Sequence, residues 1–200
     1  MSQSKTEQIL DLLGSQGIVR ARELRKKGFH QEYLRQLSNQ GKIVRAGRGI
    51  YTLPDQDLTE NQSLVEATTR VPHGIICLLS ALRFHSLTTQ APFEVWLAIA
   101  NSARTPSEEL IPLRIVYMSG RALDSGIEEH WIANVPVRVY NIPKTVADCF
   151  KYRNKIGLDV ALEALRESWN SRRLNLDSLW HYAKICRVAN VMRPYIESLL

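Results

Sequence analysis

The stretch from Lys42 to Leu53 constrains the fold more than any other part of the chain. Lys42-Ile43-Val44-Arg45-Ala46 has the apolar character of a short strand, Gly47-Arg48-Gly49 makes a tight turn, and Ile50-Tyr51-Thr52-Leu53 returns before Pro54 ends the unit. A hairpin this short buries too little to stand alone and needs helices to pack against. The residues before it supply them. Ser4 followed by Glu7 is a capping-box spacing, and Ile9, Leu12 and Leu13 form an apolar stripe that Gly14 ends. Ile18 and Val19 lead into a second helix, about Ala21 to Lys27, with Leu24 inward and Gly28 after it. A third helix, about His30 to Asn39, buries Leu34, Leu37 and the Tyr33 ring before Gly41. Three short helices followed by a basic hairpin within about 50 residues describe a winged helix-turn-helix.

Charge agrees with that shape. The net charge of the 200 residues is +6, and residues 1–54 carry ten Lys and Arg against four acids. The rest of the chain is balanced, so the excess sits wholly in the first quarter. A basic module joined to a neutral body is the electrostatic footprint of a head that binds a polyanion. On a helical wheel the third helix turns Glu32, Arg35, Gln36 and Asn39 away from Leu34 and Leu37, with Gln31 beside them. Arg, Gln and Asn form paired hydrogen bonds to base edges in the major groove. We therefore take Gln31, Arg35, Gln36 and Asn39 as base readers of double-stranded DNA. Arg20, Arg22, Lys26, Lys42, Arg45 and Arg48 are the expected phosphate contacts.

Residues 55–62 are polar and place the domain boundary there, giving a DNA-binding domain over 1–54 and a second domain over 63–200. In the second domain, Ser63 to Val71 reads as a short helix and Ile75 to Phe84 as a helix buried at the centre. Strands are expected at 93–99 and 113–118, with a hairpin of 127–132 and 135–140. Helical spacing then takes over near 144–153, 158–169, 177–186 and 190–200. The fold class is α+β: a winged helix-turn-helix, then a mixed domain with a small sheet of about four strands and a helical C-terminal part.

The chemistry of catalysis is missing. No nucleophile elbow, phosphate loop, zinc-protease helix or dinucleotide fingerprint occurs, so an enzyme is not expected. Cys77, Cys149 and Cys186 are far apart and odd in number, which suits a reduced cytoplasmic protein and not a zinc site. Neither metal nor cofactor is expected. There is no apolar run long enough for a membrane span. The acid pairs Glu108-Glu109 and Glu128-Glu129 do not read as metal donors, and His181 and Cys186 have an offset that does not bring them together. His73 and His85 read as structural histidines. Lys144 and Asp148, four apart on one helix face, read as a surface ion pair. Lys151, Arg153 and Lys155, with Arg172 and Arg173, form either a solvated basic face or a second polyanion surface.

Three stretches resemble one family. RAGRGIYTL at residues 45–53, ICLLSALRFHSLTTQAP at 76–92 and IPKTVADCFKYRNKIGLDVALEAL at 142–165, in that order, are similar to the AbiEi antitoxins of type IV toxin–antitoxin systems. The resemblance implies a winged-helix domain that represses its own operon, binding cooperatively to inverted repeats in the promoter. It implies a C-terminal domain required for antitoxicity, and a nucleotidyltransferase toxin opposed without a stable complex. The alternative is a stand-alone regulator whose C-terminal domain senses a ligand or mediates assembly.

Overall fold

The computed structural model describes residues 4–16, 18–47, 49–54, 60–104, 112–132 and 135–199. The chain begins with α1 (Lys5–Gln16), β1 (Ile18–Arg20), α2 (Ala21–Lys26) and α3 (Gln31–Asn39), followed by the hairpin β2 (Val44–Gly47) and β3 (Ile50–Thr52). The capping box closes: Glu7 N donates to Ser4 Oγ at 3.2 Å while Ser4 N donates to Glu7 Oε2 at 2.8 Å. The turn after α2 explains the glycine there. Phe29 N donates to Leu24 O and Gly28 N to Arg25 O, a paired closure that puts Gly28 at φ +82°. Ile9, Leu13, Val19, Leu24, Leu34, Leu37 and Ile43 bury themselves between the three helices and the sheet.

That sheet has three strands in the order β1-β3-β2, all antiparallel, whereas the sequence pointed to a two-stranded hairpin alone. Ile18–Arg20, expected as a lead-in to α2, pairs with Ile50–Thr52. A bulge between Arg45 and Gly47 bends β2 at the wing. This arrangement of three helices and a three-stranded sheet is a winged helix.

The second part runs α4 (Glu60–Arg70), β4 (Ile75–Ile76), α5 (Leu78–Phe84), β5 (Val95–Ala100), β6 (Leu113–Met118), α6 (Arg121–Asp124), β7 (Ile127–Ile132) and β8 (Val135–Tyr140). Five helices follow: α7 (Ile142–Lys151), α8 (Arg153–Ile156), α9 (Leu158–Asn170), α10 (Leu176–Ile185) and α11 (Ala189–Glu197). The sheet is mixed and five-stranded, in the order β6-β5-β4-β8-β7. Its two faces follow the strand period of two. Val95, Leu97, Ile99, Val135, Val137 and Val139 pack beneath α4 with Leu64, Val65 and Ala67. Trp96, Ala98 and Tyr140 face the opposite layer, built from α5, α7, α9, α10 and α11.

Two expectations need correction. Ile75–Phe84 is not one helix: Ile75 and Ile76 form the central strand, Cys77 is extended at φ −141°, and α5 starts at Leu78. A central strand is apolar on both faces, so its run merges with a following buried helix in any periodicity count. Lys144 and Asp148 are not at the surface either. Their side chains are 0% exposed, with Nζ 2.5 Å from Oδ2. Helix α7 is enclosed by neighbouring helices, and every residue from Lys144 to Phe150 is buried. The Lys144 ammonium also lies 4.0 Å from the centroid of the Tyr140 ring, and Cys186 Sγ donates to Asp148 Oδ1 at 3.1 Å. Both carboxylate oxygens are thus occupied, as a buried charge requires.

Candidate nucleic-acid interface

Helix α3 is built to present one polar face. Leu34 and Leu37 anchor it to the core at 2% and 1% exposure, fixing its rotation. Gln31, Glu32, Arg35, Gln36 and Asn39 all stand exposed on the other side. The Arg35 side chain is 73% exposed and holds Glu32 Oε1 only at 3.7 Å, a weak tether that leaves the guanidinium available. Arg25 donates to Gln31 Oε1 at 3.0 Å and orients that amide.

The bulged wing brings Arg45 and Tyr51 against α3. A groove of about 490 Å³ results, lined by Gln31, Arg35, Ser38, Asn39, Arg45 and Tyr51 among others. Three of the four expected base readers therefore line the groove together with one expected phosphate contact. Gln36, Lys26, Lys42 and Arg22 are exposed but do not line this groove. Arg48 falls outside the described residues. Arg20 is occupied otherwise than expected. Its side chain is 13% exposed, with Nη1 3.4 Å from Glu23 and Nη2 donating to Thr69 Oγ1 of α4 at 2.5 Å. Sequence reading passed over Arg25 and Tyr51. Tyr51 read only as a strand residue, and its alternation against buried Thr52 was the available signal.

The second basic group is dispersed by its own hydrogen bonds. Lys151 and Lys155 flank the Tyr152 ring, each Nζ 5.6 Å from its centroid. Arg153 donates to Phe150 O at 2.9 Å and Arg173 to His85 O at 2.6 Å, so both guanidinium groups serve carbonyls near helix ends. Arg172 is exposed.

The buried thiols and the Asp148 carboxyl of the second part are held neutral or paired. Burial pushes the Cys77 and Cys149 thiols well up and Cys186 up to about 12, the Asp148 carboxylate adding to each. Such thiols are not nucleophiles at neutral pH. Burial lowers the pKa of His85, whose Nε2 sits 2.8 Å from Tyr140 O. Burial also raises Asp148, and Lys144 opposes it. Among the described residues, no three His, Cys, Asp or Glu side chains come together as a metal site, and no helix is long and apolar enough to cross a membrane. Glu108 and Glu109 fall outside the described residues.

No curated protein matches the chain. Residues 7–54 match the family model described as transcriptional regulator, AbiEi antitoxin. The match runs from within α1 to just past β3. Over these residues the chain is similar to the AbiEi antitoxin regulator family.

Proposed function

We propose that the chain is a DNA-binding regulator of the antitoxin type that represses its own operon. Helix α3 enters the major groove with Gln31, Arg35, Gln36 and Asn39 toward base edges. The wing, carrying Arg45 and Arg48, follows the phosphate backbone. The observation that carries this reading is the groove in which Gln31, Arg35 and Asn39 of α3 face Arg45 of the wing. The family match over the same residues supports it.

In this reading residues 63–200 form the antitoxic domain. They oppose a nucleotidyltransferase toxin without a stable complex, and Lys151 and Lys155 around Tyr152 offer a second polyanion surface. Binding to inverted repeats in the promoter is part of the proposal. The experiment is a mobility-shift titration of the full chain on its own upstream DNA, paired with toxin co-expression. Charge reversal at Lys151 and Lys155 is expected to lower toxin neutralisation and leave the shift unchanged. Undiminished neutralisation removes that surface from the account.

A further inference from the structure

An open cleft of about 790 Å³ separates the winged helix from the second part of the chain. Arg20, Arg22, Arg25 and Arg45 line one side, Thr68 and Thr69 of α4 the other. No acidic side chain is among the described residues that line it. Four guanidinium groups lining one space concentrate positive charge there and favour an anion.

Two buried polar groups of this lining have no hydrogen-bond partner: Arg20 Nε and Thr68 Oγ1. Thr68 is only 6% exposed. A buried unsatisfied donor costs stability comparable to a lost hydrogen bond, and native proteins keep few of them. Arg20 spends Nη1 on Glu23 and Nη2 on Thr69, which leaves the Nε edge of its fork unused. Arg20 and Thr68, each with an unused donor, thus line the same arginine-rich cleft. An oxygen-rich anion satisfies all of these groups, and the planar fork of arginine suits phosphate in particular. A volume of this size falls within the range of small-molecule pockets and accommodates a nucleotide.

We propose that this interdomain cleft binds a phosphate group, carried either by a free nucleotide or polyphosphate or by the DNA backbone. The free-ligand source is independent of the DNA-binding function proposed above, whereas the backbone source rests on it. Gln31 and Arg45 belong both to this cleft and to the α3 groove. A free phosphate ligand therefore contends with DNA for shared residues, which makes the cleft an effector site for operator release.

The test uses the full chain and two substitutions, Thr68→Val, which removes only the hydroxyl, and Arg25→Ala, on an exposed helix face. ATP and inorganic tripolyphosphate are titrated calorimetrically, and upstream DNA by fluorescence anisotropy. With a free ligand, both compounds bind the wild type, and each substitution weakens them by about 5-fold or more, the worth of one hydrogen bond. Operator affinity of Thr68→Val then stays at the wild-type value. With the backbone as source, neither compound binds and both substitutions weaken DNA binding. Compounds that do not bind, or bind regardless of either substitution, together with unchanged DNA affinity, overturn the site. Should Thr68→Val fail to fold by circular dichroism, Arg25→Ala decides. A chain that binds ATP in a substitution-sensitive way but no DNA keeps the cleft and refutes the regulator.

Discussion

Lys144 and Asp148 form an ion pair at 2.5 Å in which neither side chain has any exposed surface. Taking two charges out of water costs more than their attraction necessarily returns, and removing one alone leaves the other stranded. Lys144→Met or Asp148→Leu, each made singly, is expected to cost about 3–5 kcal/mol. The double substitution is expected to recover most of that loss, since it removes both charges and fills the space. Urea denaturation of the three variants measures this. Equal destabilisation in single and double variants would show that the site depends on shape and not on charge pairing.

Glu66 on α4 is 2% exposed, and its Oε1 has no hydrogen-bond partner. Burial pushes its carboxyl up to about 7, with Arg70 pulling the other way. Between the unfolded value near 4.5 and about 7 the folded chain holds a proton that the unfolded chain has released. The contribution of Glu66 is therefore complete below the unfolded value and is lost as pH rises through about 7. The full span is on the order of 3 kcal/mol. Denaturation of wild type and Glu66→Gln at pH 5 and pH 8 isolates it. The wild type should lose ground to the variant with rising pH, and a constant difference contradicts the assignment.

Three helices close without glycine. Ser86, Arg172 and Arg187 stand at φ +57°, +55° and +59° immediately after the caps of α5, α9 and α10. In each, the next amide reaches back five residues, as Val188 N does to Ala183 O. Left-handed backbone costs a side-chain-bearing residue roughly 1–2 kcal/mol. Arg187 is exposed, so Arg187→Gly should raise the thermal midpoint by about 2–4 °C. A lowered midpoint would mean that the arginine makes a contact worth more than the strain.

The sequence was most legible where local chemistry decides. Ser4 and Glu7 formed their capping box, and the strands at 113–118, 127–132 and 135–140 lie where alternation put them. The exposed face of α3 followed from the spacing of Leu34 and Leu37. It was least legible where distant pairing decides. Ile18–Arg20 becomes a strand only because Ile50–Thr52 folds back upon it. Non-glycine caps carry no punctuation for a reader to see. Lys144 and Asp148 show the spacing of a solvated pair, and only the helices around α7 make them internal. The bond of Arg20 to Thr69 has no local signal, because it depends on how α4 lies against the module.

Base reading and backbone contact separate by their response to substitution. Arg35→Ala is expected to cost about 1–3 kcal/mol on the preferred sequence and to relax discrimination at one base pair. Arg45→Ala should weaken binding to every duplex alike and reduce the salt slope by about 1. Anisotropy titrations across a salt series, on matched and single-mismatch duplexes, tell the two apart. A uniform loss for Arg35→Ala would move it from the base readers to the backbone contacts.

The most direct measurement compares the full chain on its own upstream DNA with a shuffled duplex of equal length and composition, at fixed physiological salt. Upstream DNA is expected to bind about 10³-fold or more tightly than the shuffled duplex. Equal affinity for the two, or no binding to either, would contradict it.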